Sequence, residues 1–275
     1  MPNIANINGT EVGDISHHNG ATSSLYANYN GDIWGHYSFQ GSNYGYTSGG
    51  NPSDTIDKFA LASDGDATDV GNLTSSMRAS STGSSSATYG YQIGVHWSPG
   101  AHDDIEKFSF ASDGDATANY HLTHTNKEDP AGQSSETHGY TCCGYLNSMI
   151  QRFSFASDGN SVDTTQDLTT TRFSFCGQSS ETHGYTASGH YGPGNHNVID
   201  KFAFDSSVNA TDIGDCTGSR RRVAGVSSTT HGYCSGGYTG PAVNTIDKFS
   251  FTVDGNATDI ANLTTARDYV GGNQY

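Results

Sequence analysis

The amino-acid sequence predicts an all-β protein, a β-propeller built from repeated four-stranded units. One phrase, clearest at 246–263, recurs at 56–73, 105–122, 150–168 and 199–215. Its anchor phenylalanines are spaced 49, 45, 49 and 47 residues apart, at Phe59, Phe108, Phe153, Phe202 and Phe249. A period of this length is typical of repeat architectures. The composition agrees, since 35 Gly, 16 Tyr and 12 Phe occur without long Leu/Ala/Glu stretches.

The repeated phrase itself reads as a β-hairpin. Ile246, Phe249 and Phe251 form an apolar, strand-favouring run, and the segment 258–263 supplies a second one. The pair Asp254-Gly255 stands between the two runs. An Asp-Gly pair in that position is a strong hairpin signal, because Gly accepts a positive φ.

Two further strands complete each unit. The first follows a cation placed five residues ahead of a Gly, as in Arg172/Gly177 and Arg220/Gly225. The second begins with Gly-Tyr and ends in small residues, as in 232–237. Four short strands in each repeat of this length predict a propeller blade.

The blades are expected at 36–77, 78–126, 127–171, 172–219, 220–266, and at 267–275 joined with 1–35, all within one domain spanning 1–275. Residues 267–275 resemble a first strand only, and residues 12–22 follow the hairpin pattern around Gly20. We therefore expect six four-stranded blades, the last closed by both chain ends, which removes exposed sheet edges. The alternative is five blades with an N-terminal arm.

The positive charges follow the repeat. Five precede the anchor phenylalanines and five open the first strands, which leaves only Arg221 and Arg222 outside the pattern. The repeated cations are therefore interpreted as structural parts of each blade and not as a ligand-binding patch.

The net charge, the length of the apolar runs and the cysteine spacing argue against several classes of function. The net charge of −16 argues against a nucleic-acid partner, which needs clustered cations. No apolar run reaches the length of a membrane span, and no signal peptide is expected at the start of the sequence. The five cysteines lack CxxC spacing, so they are interpreted as small buried residues rather than as a zinc site or a disulfide framework.

The units resemble the kelch-type propeller repeat, as in the central domain of galactose oxidase. The matching features are Tyr46 ahead of the double Gly at 49–50, the strand at 56–61, the turn at 64–65 and the last strand leading to Arg78. The usual Trp of the last strand is absent, and no copper-site pattern accompanies the scaffold. The amino-acid sequence of the repeats also resembles that of repeat proteins of aquatic bacteriophages. This resemblance implies a virion-associated protein, located in the virion or extracellular after release, whose partners are other virion proteins or a host-surface glycan.

The acidic turns are the most repeated polar feature. Closely spaced carboxylates with Gly can bind Ca²⁺, although turn chemistry alone explains Asp at a hairpin and no cofactor is required. The candidate calcium ligands are Asp64, Asp66, Asp113, Asp115 and Asp254. A second series consists of histidines that each precede a Gly-Tyr pair, at His138, His183 and His231. We interpret these histidines as turn-stabilising rather than as metal-binding.

The variable segments after each second strand should lie together on one face of the propeller. They carry aromatic and imidazole side chains suited to stacking on sugars and to bonding their hydroxyl groups. The candidate ligand-binding residues there are Trp97, His96, His102, Tyr191, His196 and Tyr238. No converging acid, base and nucleophile is recognisable, so we expect a non-catalytic binding or structural module. The alternative is an enzyme with a pocket on the propeller axis.

Overall fold

The computed structural model describes residues 44–49, 53–61, 63–74, 82–94, 103–124, 129–142, 144 and 147–269, and the backbone of six short strands within 6–35. The chain divides into two compact units, 1–39 and 40–275. Within the described residues all regular structure is β-strand and no helix is found. The described residues therefore contain no helix that could cross a membrane.

The first unit contains three separate antiparallel hairpins. They pair β1 with β2, β3 with β4 and β5 with β6. The strands are β1 (Asn6–Ile7), β2 (Thr10–Glu11), β3 (His17–His18), β4 (Ala21–Thr22), β5 (Leu25–Tyr29) and β6 (Asp32–Gly35).

The described part of the second unit contains five antiparallel sheets of three or four strands, which we call blades 1 to 5 in chain order. Blade 1 consists of β7 (Tyr44–Ser48), β8 (Thr55–Ala60) and β9 (Thr68–Asn72). Blade 2 consists of β10 (Thr82–Ser85), β11 (Tyr89–Ile93), β12 (Asp104–Ser109) and β13 (Thr117–His121). Blade 3 consists of β14 (Ala131–Ser134), β15 (His138–Cys142), β16 (Met149–Ser154) and β17 (Val162–Asp167).

Blades 4 and 5 follow the same order. Blade 4 consists of β18 (Cys176–Ser179), β19 (His183–Ala187), β22 (Val198–Ala203) and β23 (Thr211–Asp215), with the hairpin β20 (His190–Tyr191) and β21 (Gly194–Asn195) inserted between its second and third strands. Blade 5 consists of β24 (Ala224–Ser227), β25 (His231–Ser235), β26 (Thr245–Ser250) and β27 (Thr258–Asn262). The predicted hairpin around Asp254-Gly255 is confirmed by the pairing of β26 with β27.

The five blades correct the expectation of six and agree with the stated alternative. In each described blade the Gly of the Gly-Tyr strand pairs across the ladder with the anchor Phe, as Gly184 does with Phe202. A Cβ on that Gly would overlap the phenyl ring, so the anchor Phe requires a Gly opposite it. Residues 1–35 and 267–275 contain no Phe, and they cannot build a blade with this pair. The residues 270–275 of the expected closing strand lie outside the described part.

Neighbouring blades are joined by aromatic stacking. The Tyr of one second strand stacks on the second Phe of the next blade, with ring centroids 4.5 Å apart for Tyr185 and Phe251 and 4.6 Å apart for Tyr140 and Phe204. First strands of consecutive blades lie side by side. A Cβ on Gly132, Gly177 or Gly225 would overlap the carbonyl oxygen of the corresponding Gly in the preceding blade, which explains the Gly at these three positions.

The repeated cations and carboxylates also join blades. Asp200, on the third strand of blade 4, accepts hydrogen bonds from Thr169 at the end of blade 3 and forms a 2.8 Å ion pair with Arg172. Both charged side chains are fully buried. Blade 5 repeats the arrangement with Asp247 and Arg220, which are 3.0 Å apart. The interpretation of these cations as structural is therefore confirmed for the pairs that the structure describes.

Candidate ligand-binding face

One end of the propeller gathers the segments that vary between blades. Because the strands of each blade alternate in direction, the segment between second and third strands emerges at the same end as the connection to the next blade. We call this end the loop face. In blades 4 and 5 it includes 188–197, 216–223 and 236–244.

An arc of four backbone-linked residues crosses the loop face just before the first strands. The amide of Ser174 donates to the Asp129 carbonyl over 3.1 Å, that of Arg222 to Ser174 over 2.8 Å, and that of Tyr269 to Arg222 over 3.2 Å. All four residues have a positive φ, between 34° and 59°. Each stands two residues after a repeated cation position. Because the first strands of consecutive blades adjoin, this arc lies towards the centre of the propeller.

Two arginines of blade 5 pack against aromatic rings at this arc. The guanidinium of Arg222 lies 4.0 Å from the ring centroid of Tyr269 and 5.7 Å from that of Tyr238. The guanidinium of Arg221 lies 5.2 Å from the Tyr238 ring. We call Arg221, Arg222, Tyr238 and Tyr269 the Arg–Tyr cluster. Asp268 forms a longer ion pair with Arg222, at 3.4 Å.

The backbone holds the Arg–Tyr cluster in place. Arg221 and Tyr238 exchange two backbone hydrogen bonds, of 3.2 and 2.9 Å. The side-chain amide of Asn195 donates to the Tyr238 carbonyl over 2.9 Å, so the inserted hairpin of blade 4 supports the same loop. A rigid frame of this kind reduces the entropy lost when a ligand binds.

The electrostatics of the cluster are unlike those of the rest of the chain. The two arginines are concentrated at one place on a chain of net charge −16. The Arg222 side chain is 27% exposed to solvent. The Nε atom of Arg221 is buried and has no hydrogen-bond partner. A guanidinium fork beside an aromatic ring can bind a carboxylate while the ring stacks on a flat or apolar ligand face.

The structure brings only part of the predicted ligand-binding set to this place. Tyr238 belongs to the cluster. Tyr191 lies at the exposed end of the inserted hairpin, and His196 is half-buried, with its backbone bonded to Gly189 and Arg220. The predicted residues Trp97, His96 and His102 lie outside the described residues.

Sequence reasoning missed Arg221, Arg222 and Tyr269. The available signal was the position of the two arginines, which are the only cations outside the repeat. Where they stand in blade 5, blade 4 carries Phe173 and Ser174.

The acidic turns lie at the opposite end of the propeller and connect neighbouring blades. Asp113 pairs with Lys58 at 2.9 Å and Asp254 pairs with Lys201 at 2.9 Å. Asp115 accepts hydrogen bonds from the backbone and side chain of Asn72. The Lys58 ammonium therefore occupies the position next to Asp113 that a bound metal ion would take. Lys58, Asp66 and Asp113 line a cavity of about 420 Å³. Calcium binding by these turns stays a prediction.

The histidines before Gly-Tyr are bonded within their own turns. His138, His183 and His231 each place Nδ1 2.8 Å from the hydroxyl of the preceding Thr. Burial lowers the pKa of His138, and Arg152 adds to the effect. Burial likewise lowers the pKa of His183, with a further contribution from Lys201. These contacts agree with a turn-stabilising role.

The described cysteines, Cys142, Cys176, Cys216 and Cys234, are all buried free thiols. This confirms the interpretation as buried residues for those four. Cys143 lies outside the described residues.

Comparison with known proteins supports the fold. The sequence matches no protein-family model and no curated protein sequence. A solved structure described as "Structure of YjhT", a β-propeller, is similar to this chain with a TM-score of 0.72, covering 84% of each chain at 10% identity. At that identity the likeness shows the fold alone. This chain is an all-β propeller with five described blades, similar in fold to YjhT.

Proposed function

We propose that this protein is a non-catalytic binding module whose loop face recognises an acidic glycan. The Arg–Tyr cluster carries the proposal. It offers two guanidinium groups for a carboxylate and two aromatic rings for stacking on a sugar. Both functions come from one framework of backbone hydrogen bonds, so the ligand meets a preformed site.

The local positive charge of the Arg–Tyr cluster favours an acidic ligand over a neutral one. A chain with 28 Asp and Glu against 12 Lys and Arg repels anions in general. Selective capture of an anion therefore needs a local concentration of cations, and Arg221 and Arg222 provide one. The half-exposed ring of Tyr191 extends the apolar part of the same face.

The setting that we propose is a virion, in which the module contacts a glycan of the host surface. The resemblance of the repeat sequences to those of bacteriophage repeat proteins supports this setting. Mass spectrometry of purified particles tests it, and a chain missing from intact particles would exclude it. The other partner considered, a further virion protein, would be identified by crosslinking through the loop face.

A glycan array with matched variants tests the binding role. We expect the wild-type chain to bind carboxylated glycans, and Arg222→Ala and Tyr238→Ala each to reduce binding at least tenfold, which corresponds to about 1.4 kcal/mol. Lys201→Ala, a repeated cation at the opposite end of the propeller, is the control and should bind normally. Binding unaffected by both loop-face changes would refute the proposal. Release of a shortened glycan would instead support an enzyme acting at the axis.

A further inference from the structure

Blade 2 carries three metal-ligating side chains at its loop-face end. His121 closes the fourth strand, and its Nδ1 lies 3.3 Å from Oδ1 of Asp103 and 3.2 Å from Oδ1 of Asp104. One ligand atom from each of the three residues lies within 4.8 Å of the other two. The His121 side chain is 49% exposed, so ions can reach the group from solution.

The blade backbone fixes these residues independently of any ion. Asp104 and His121 are register partners on neighbouring strands, and the Leu122 amide donates to the Asp103 carbonyl. The His121 amide donates to the Asn160 side chain of blade 3 over 3.0 Å. The sheet therefore fixes the backbone positions from which the three side chains approach one another.

The combination of residues departs from the repeat. At the His121 position the other four described blades have Asn or Asp, and at the Asp104 position they have Thr, Met or Val. The scaffold thus forms without an imidazole or a second carboxylate here. The corresponding residues are Asp54, Thr55 and Asn72; Ser148, Met149 and Asp167; Asn197, Val198 and Asp215; and Asn244, Thr245 and Asn262.

The distances suit a small transition-metal ion. Zinc binds imidazole nitrogen and carboxylate oxygen at about 2.0–2.2 Å, so two ligands of a tetrahedral shell are about 3.3–3.6 Å apart. The two separations between His121 Nδ1 and the carboxylate oxygens, 3.2 and 3.3 Å, are close to that edge. An ion would also relieve the repulsion between the two adjacent carboxylates. The imidazole favours zinc and its neighbours in the transition series over Ca²⁺ and Mg²⁺, which prefer oxygen ligands.

We propose that Asp103, Asp104 and His121 form a site for a divalent transition-metal ion, with Zn²⁺ as the representative ion. Three protein ligands leave at least one coordination position open, as in sites where the metal contacts a further ligand. The site lies on the loop face but in a different blade from the Arg–Tyr cluster, and the proposal does not depend on glycan binding.

Calorimetric titration of the purified chain with ZnCl₂ tests the site. We expect one equivalent of Zn²⁺ to bind with a thermal stabilisation that excess MgCl₂ does not reproduce. His121→Ala should lower the affinity by more than the ~10–100-fold that loss of an outer-shell partner costs. His124→Ala removes an exposed imidazole three residues away and should leave the affinity unchanged. His121→Cys should retain binding, because thiolate is also a zinc ligand.

Circular dichroism of each variant establishes that the fold is intact. The site is refuted if the wild-type chain shows no saturable binding, if His121→Ala binds as tightly as wild type, or if His124→Ala loses affinity equally. Asp103→Asn and Asp104→Asn should each weaken binding, and normal binding in both would also overturn the assignment.

Discussion

Removing the carboxylate of Asp200 should destabilise the propeller severely. Asp200 and Arg172 are fully buried and 2.8 Å apart. The same carboxylate accepts hydrogen bonds from the Thr169 amide over 3.2 Å and from its hydroxyl over 2.6 Å. In Asp200→Ala the guanidinium stays buried without its counter-charge, and two donors of the preceding blade lose their acceptor.

The expected loss is about 3–5 kcal/mol, the cost of breaking a buried ion pair from one side. That is a large fraction of the ~5–15 kcal/mol that stabilises a typical folded protein. An internal control is available in the Lys201–Asp254 pair, which has a similar separation of 2.9 Å but leaves Asp254 54% exposed. Asp254→Ala should cost only about 0–1 kcal/mol, because solvent screens an exposed pair.

Urea denaturation at pH 7 followed by circular dichroism measures both variants, and the midpoint and slope together give the change in free energy of unfolding. The double variant Asp200→Leu with Arg172→Met should recover the part of the loss that comes from the uncompensated charge, since apolar residues of similar volume often replace a buried pair without cost. The two Thr169 donors stay without their acceptor in this variant. If Asp200→Ala were no less stable than Asp254→Ala, burial would not govern these ion pairs and the reasoning would fail.

Two further predictions concern packing and pH. Gly184→Ala should cost about 1–3 kcal/mol by overpacking against the Phe202 ring, whereas Gly218→Ala, with open space around it, should be nearly neutral in the same denaturation assay. Burial lowers the pKa values of His138 and His183, so the unfolded chain binds protons more readily and stability should fall as the pH drops below the ordinary His value of about 6.5. The double variant His138→Gln with His183→Gln should flatten the decline in Tm between pH 7 and pH 5, and an unchanged decline would contradict the assignment.

Most of the fold could be predicted because the sequence of each blade contains the signals for its own strands and turns. The Asp-Gly turns, the alternating strand residues and the Gly-Tyr strands are readable within a single repeat. The number of blades could not be obtained that way. The match of 12–22 to the hairpin pattern depends on a turn around Gly20, and turns recur in many β-structures. The decisive feature is the cross-strand pair of Gly and Phe, and residues 1–35 lack the Phe.

The candidate sites could be predicted only as departures from the repeat. In the described blades, repeated charges such as Arg172, Asp200 and Lys201 already have partners that hold blades together, so they have little capacity left for a ligand. Arg222 and His121 also have charged neighbours, but the blades form without such residues at the corresponding positions.

The sequence shows that these residues deviate, but it does not show what they meet. Arg222 reaches Tyr269 only because the connections of successive blades bond to one another across the loop face. His121 reaches Asp103 and Asp104 only because the register of two strands places their ends together. In a propeller of near-identical blades, the scaffold supplies the geometry and the deviating residues supply the chemistry. A substitution that restores the repeat residue, such as Arg222→Ser or His121→Asn, should therefore remove a binding property while leaving the fold stable.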